Sequence, residues 1–229
     1  MLPANPRLPL WLKLAYTAFV AVLVPIYWTN YGPSNFLYFC DMALLLTLPA
    51  IWLESPLLAS MPAVGILAPQ VIWCLDYVAN FFGIHLTGMT DYMFDQTLPL
   101  YLRGLSLFHG WLPFLLVYLV WRLGYEPRAL AGWTVIAVAS MLIAYFFLPG
   151  PSPDAGSAAV NVNYGFGMSN TAPQTWMPGW AWFMSLLVGL PTLIFWPTHL
   201  ALKRWMSGPV GTGQPKGQQN AHGASARAA

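Results

Sequence analysis

The chain has 229 residues, of which 58% are hydrophobic and only 7% charged, where a soluble domain carries roughly 25% charged residues. Nine Lys/Arg and seven Asp/Glu are too few to coat a soluble surface, and the apolar content is far too high for a disordered chain. A net charge of +2 gives no basic patch for nucleic acid. These numbers leave an all-α polytopic membrane protein.

A helix that crosses the hydrocarbon core needs about 20 mostly apolar residues. Six runs qualify: 10–28, 35–53, 57–82, 100–123, 130–148 and 180–202. They predict a six-helix transmembrane bundle within a single domain over 1–206. Pro25, Pro69, Pro113, Pro191 and Pro197 fall inside these runs and mark kinks, which neighbouring helices tolerate in a membrane. The first run has no small-x-small cleavage site after it and reads as a retained helix. The stretch 207–229 is rich in Gly, Ala, Gln and Ser, without an apolar period, and reads as a disordered tail.

Charge sets the orientation. With six passes, the N-terminus, the loops after spans two and four, and the C-terminus share one side. That side holds Arg7, Lys13, Arg122, Arg128, Lys203, Arg204, Lys216 and Arg227, and the other holds only Arg103. The positive-inside rule makes both termini cytoplasmic and the expected location a bacterial inner (plasma) membrane, with membrane lipids as surroundings and partners. Two loops on the opposite side, 83–99 and 150–179, are long and rich in polar and aromatic residues. Such loops carry sites on a rigid scaffold.

Ionisable and polar residues inside a span are costly and point to function or to internal pairing. Span two carries Asn35, Cys40 and Asp41; span three carries Gln70, Cys74 and Asp76; span four carries Arg103, Ser106 and His109. The topology places all of these in the outer half. At about 100° per residue, Arg103, Ser106 and His109 share one helix face. An outer polar pocket follows, with the loop residues Asn161, Asn163 and Tyr164 as its cover. Arg103 needs an anion, and Asp76 and Asp41 are nearest in depth.

A Cys and a His at similar depth have the composition of a nucleophile–base pair. Cys40 is then the nucleophile and His109 the base, with Asp41 orienting the ring. Arg103, Asp76, Ser106, Gln70, Asn161, Asn163 and Tyr164 are candidates for holding a small-molecule or lipid substrate. The same residues also suit a pocket without chemistry, which binds or transports a small molecule, lipid or pigment, or sits within a membrane complex. No metal site and no cofactor is expected: there is no CxxC, no zinc-type spacing and no CxxCH, and His85, Asp91 and Asp95 read as solvated loop groups.

Three fragments carry a resemblance over roughly 35–180. They are Asn35-Phe36-Leu37-Tyr38-Phe39-Cys40-Asp41, Phe108-His109-Gly110, and Asn161-Val162-Asn163-Tyr164-Gly165-Phe166-Gly167 followed by Trp176-Met177-Pro178-Gly179-Trp180. In this order they resemble the YwaF-like bacterial integral membrane proteins, relatives of the animal transmembrane phospholipid acyltransferase that uses a Cys and a His. The resemblance implies a lipid acyltransferase or acyl-ester hydrolase acting through Cys40 and His109.

Overall fold

The computed structural model describes residues 7–156 and 158–206. The expected tail, 207–229, lies outside the described residues. Eight α-helices make six passes: α1 (Leu10–Tyr31), α2 (Phe39–Leu53), α3 (Pro56–Asn80), α4 and α5 (Leu100–Ser106 and Phe108–Leu123), α6 (Ala129–Phe147), and α7 and α8 (Gly179–Gly189 and Trp196–Met206). No strand occurs among the described residues. The chain is an all-helical, polytopic membrane protein.

Helix α3 is the centre of the bundle. It packs against α2, α5, α6 and α8, and its most apolar stretch is 56% buried, against 11% for the last span. Small residues let the neighbours close in: Ala43, Ala50, Ala59 and Ala63 are fully buried, as expected where helices pack by van der Waals contact in lipid. Gly65 is the tightest approach. A Cβ built there falls 1.8 Å from the Trp133 ring, so the indole of α6 occupies the space a side chain would need. The outer surface of the bundle is apolar, with Trp11, Phe114, Phe147 and Leu193 all exposed, which suits hydrocarbon.

Hydrogen bonds at the two ends agree with the expected topology. At one end, Glu54 accepts from the Arg7 and Leu8 amides and from Lys13 Nζ, the last at 2.8 Å. Arg7 also donates to the Leu123 carbonyl, and Tyr125 N–H donates to that of Met206. The starts and ends of α1, α2, α5 and α8 therefore meet there, at the cation-rich end of the bundle. At the other end, Ala159 N–H donates to Tyr31 and Asn163 to Leu37.

Two spans differ from the sequence expectation. Helix α2 starts at Phe39 rather than 35, because Pro33–Leu37 forms a 3-10 turn. Its 15 residues reach about 22 Å, short of a hydrocarbon core of about 30 Å, so α2 alone does not cross one. The fourth span is broken at Leu107 into α4 and α5. Six residues on, Pro113 cannot donate to the His109 carbonyl; the Cys74 thiol, at 3.9 Å, turns to that carbonyl instead. Pro69, by contrast, is accommodated within a continuous α3. In the last span the prolines Pro191 and Pro197 accompany a π-helical stretch, Leu190–Phe195, a common form of relaxation around lost backbone bonds.

Candidate functional site: a polar pocket under the outer loops

The N-terminus of α2 positions Cys40 and Asp41 in its first turn. No side chain of α2 caps this end; Asn163 does so from the 150–179 loop. Its Oδ1 accepts from Phe39 N–H at 3.1 Å, and its Nδ2 donates to the Leu37 carbonyl at 2.9 Å and to Ser140 Oγ at 3.2 Å. Asn161 is equally engaged, donating to the Gly167 and Ser169 carbonyls and accepting from Phe166 N–H. Both asparagines, and Tyr164, have left-handed φ, a conformation in which Asn is at home. Their amides therefore shape the cover and dock it onto α2.

The second outer loop, 83–99, is anchored by α3. Asp76, 1% exposed, accepts from Thr87 N–H at 2.7 Å, Thr90 N–H at 3.0 Å and Thr90 Oγ1 at 2.6 Å. One turn on, Asn80 donates to Asp91, which also bonds His85. The expected Asp76–Arg103 pair does not form. Arg103 donates to the Met93 carbonyl, and Asp95 lies in its field. Three donors from one turn satisfy a carboxylate as fully as a guanidinium, and without ordering a long side chain.

Between the loops lies an open groove of about 470 Å³, whose lining includes Thr87, Asp91, Tyr92, Tyr164 and Asn170. Tyr92 and Tyr164 link it to the polar residues beneath. The Tyr92 hydroxyl reaches the side chains of Ser106 and Trp73, and both Tyr92 and Tyr164 are electrostatic neighbours of Cys40. Burial pushes the Tyr92 phenol well above its ordinary value and that of Tyr164 up to about 12. Both are therefore protonated donors at neutral pH.

Beneath them, Tyr27 and Ser106 share a hydrogen bond of 2.7 Å, and Ser106 Oγ also donates to the Leu102 carbonyl. His109 Nδ1 is 2.7 Å from the Ser106 carbonyl. A carbonyl only accepts, so Nδ1 carries the proton and a neutral ring keeps its lone pair on Nε2. The ring stacks on Trp73 at 4.8 Å. Cys40 Sγ is 3.8 Å from Asp41 Oδ2, which also accepts from Asn35 Nδ2 at 3.3 Å. Asp41 is 4% exposed, and its Oδ1 has no partner. Tyr27, Tyr31 and Tyr38 lie in the field of this carboxylate.

Cys40 and Asp41 thus touch at the N-terminus of α2, while Ser106 joins Tyr27 and Tyr92 through their hydroxyls and His109 through its carbonyl. Compared with family models, curated proteins and solved structures, the chain matches none. The remaining expected residues sit at the margins. Gln70 lies about one turn from Trp73 on α3 with its Oε1 unpartnered, and Arg103 is bonded to the Met93 carbonyl of the 83–99 loop. Cys40 and His109 share no hydrogen bond; the thiol faces Asp41 and the imidazole Ser106. Tyr27, Trp73 and Asn35 complete the pocket. Tyr27 and Trp73 carry no sequence signal of their own, because aromatic residues are abundant throughout the spans and ordinarily mark interfaces. Among the described residues no group of three His, Cys, Asp or Glu is placed to hold a metal ion.

Proposed function

We propose that this membrane protein receives a small molecule or a lipid headgroup from the outer side, in the pocket around Asp41. The observation that supports this reading most is the unpartnered Oδ1 of a carboxyl that is 4% exposed. A buried acceptor without a donor costs about 1–3 kcal/mol, and within a membrane such residues mark substrate or ion pathways. The first turn of α2 favours a negative charge there, and the groove above opens between Tyr92 and Tyr164. The membrane is the inner (plasma) membrane, by the cation excess of the cytoplasmic end. A density map of the full chain in lipid nanodiscs tests the reading. It predicts non-protein density in contact with Asp41 Oδ1, absent in Asp41→Asn. A pocket closed by side chains alone in both proteins contradicts it.

A second reading is acyl transfer, as the resemblance to the YwaF-like proteins implies. Its support is the position of Cys40 in the first turn of α2, since a helix N-terminus favours a thiolate. The thiol passes its proton to His109 Nε2 and attacks an ester carbonyl. The ester C–O bond breaks, the proton goes to the departing alcohol, and the acyl group stays on sulfur as a thioester. The reaction requires Cys40 to leave Asp41 for His109. The test is the intact mass of purified protein with and without neutral hydroxylamine: an acyl mass on Cys40 that hydroxylamine removes supports it, and full lipid turnover by Cys40→Ala excludes it.

A further inference from the structure

We propose that the occupant of this pocket is a small organic ammonium cation, its charge on Asp41 and its carbon shell among Tyr27, Tyr31, Tyr38, Tyr92 and Tyr164. The inference rests on the binding reading above and names the ligand class.

Three observations converge on it. The first is the charge at the centre. Asp41 is buried, and its hydrogen bonds come from the neutral Asn35 amide and the Cys40 thiol, with Oδ1 left over. The ion pairs among the described residues join Lys13 to Glu54, His85 to Asp91 and Arg128 to Glu126; none involves Asp41. A carboxylate in a low-dielectric pocket calls for a positive partner, and the partner here comes from outside the chain.

The second is the wall. Tyr27, Tyr31 and Tyr38 are electrostatic neighbours of Asp41, and Tyr92 and Tyr164 of Cys40; Tyr27 and Tyr92 both reach Ser106 Oγ. Aromatic rings around one anion are the recognition chemistry of amines and quaternary ammonium groups. A hard metal ion needs several oxygen ligands, carboxylates foremost, and no such cluster is present among the described residues. The wall therefore favours an organic cation over an inorganic one.

The third is the approach. The outer half holds Asp41, Asp76, Asp91, Asp95 and Asp154 against a single guanidinium, Arg103. Asp91 itself lines the groove. A mouth of one sign concentrates ligands of the other and repels its own. The same chemistry is available from a free amine and from the ammonium of a lipid headgroup.

The test uses Cys40 as a reporter inside the site. The full chain carrying Cys74→Ser is placed in nanodiscs of phosphatidylglycerol. It is treated with two methanethiosulfonates of similar size, one bearing trimethylammonium and one sulfonate. Each rate at Cys40 is divided by that reagent's rate with a free thiol. The proposal predicts a preference of at least about tenfold for the cationic reagent, falling to near unity in Asp41→Asn. In the protein with native Asp41, tetramethylammonium protects Cys40 from neutral methyl methanethiosulfonate in a saturable way. This arm keeps the proposal testable if Asp41→Asn does not fold. Protection by phosphatidylcholine nanodiscs without added amine assigns the cation to a lipid headgroup; protection by tetramethylammonium in phosphatidylglycerol assigns it to a free amine. Equal normalised rates with no protection overturn the cation while leaving the pocket in place. Failure of all three reagents to reach Cys40 overturns the pocket as well.

Discussion

The Cys40 thiol donates to the carboxylate of its own neighbour, Asp41, across 3.8 Å. This relationship ties the only cysteine of the pocket to an anion rather than to the imidazole of His109, whose Nδ1 is held by the Ser106 carbonyl. The first turn of α2 thereby holds a buried carboxyl with one oxygen, Oδ1, left without a donor.

Asp41→Asn separates stability from function. The substitution removes a buried carboxylate whose Oδ1 has no donor, so the empty protein keeps its melting temperature or gains a little, within about 1–3 kcal/mol. Ligand-induced stabilisation disappears at the same time. Thermal unfolding with and without tetramethylammonium reads both effects; an equal ligand shift in the variant argues against a role for Asp41.

Cys40→Ser and His109→Gln distinguish the two functional readings. Under the binding reading, Cys40→Ser changes affinity by no more than about threefold, because a hydroxyl also donates to Asp41. Under acyl transfer it abolishes turnover, with a loss of at least about 10³. His109→Gln keeps a donor for the Ser106 carbonyl but no base; turnover falls with it only if the ring accepts a proton. Parallel binding and lipid-turnover assays on the two variants decide the matter.

At the cation-rich end of the bundle, Lys13 and Glu54 form a buried pair at 2.8 Å. Glu54→Gln leaves the ammonium without its counter-ion and costs about 3–5 kcal/mol. The acid limb of the stability profile follows from the same contacts. Burial alone raises the Glu54 carboxyl, but Lys13 and the Arg7 and Leu8 amides outweigh it and hold it below 4.5. The folded state therefore binds this proton less readily than the unfolded state. Its contribution is complete above the unfolded value and is lost as pH falls through the lower folded one. Unfolding followed from pH 7 to pH 3 shows a shallower acid-side decline in Glu54→Gln than in the native chain.

Gly65→Ala tests the core. With its Cβ 1.8 Å from the Trp133 ring, the methyl forces α3 and α6 apart at a cost of about 1–3 kcal/mol or more. Trp133→Leu in the same chain relieves the clash. If Gly65→Ala alone unfolds at the native temperature, the α3–α6 packing described here is wrong.

The bundle is legible in the sequence because hydrocarbon imposes length and composition on every span, and because Arg and Lys sort to one side. Local backbone events are less so. Pro33-Ser34-Asn35 turns the chain within an apolar context and shortens α2, and a window average smooths over it. The break at Leu107 has no glycine or proline of its own to announce it. The site reads from the sequence as a list of polar residues at matching depth, of which Cys40 and Asp41 touch each other and Ser106 bonds Tyr27. Their pairing is not legible there. Asp76 is bonded by Thr90 and by the amides of Thr87 and Thr90, and main-chain donors are invisible to a count of charges. Asn161 and Asn163 carry polar side chains suited to a substrate, yet their positive φ angles show them turning a loop. Glu54 carries no sequence signal of its own, since its partner Lys13 lies 41 positions away.

Access to Cys40 from the outer face is the most direct test of the central claim, that a pocket around Asp41 opens between the two outer loops. Cells expressing the Cys74→Ser chain are treated with a small, membrane-impermeant cationic thiol reagent, and the intact mass of the purified protein is measured. The account predicts one adduct, on Cys40, formed from the outside and slowed when Tyr164→Trp narrows the groove. An unmodified Cys40 in cells, with rapid modification only after the cytoplasmic face is exposed, contradicts it.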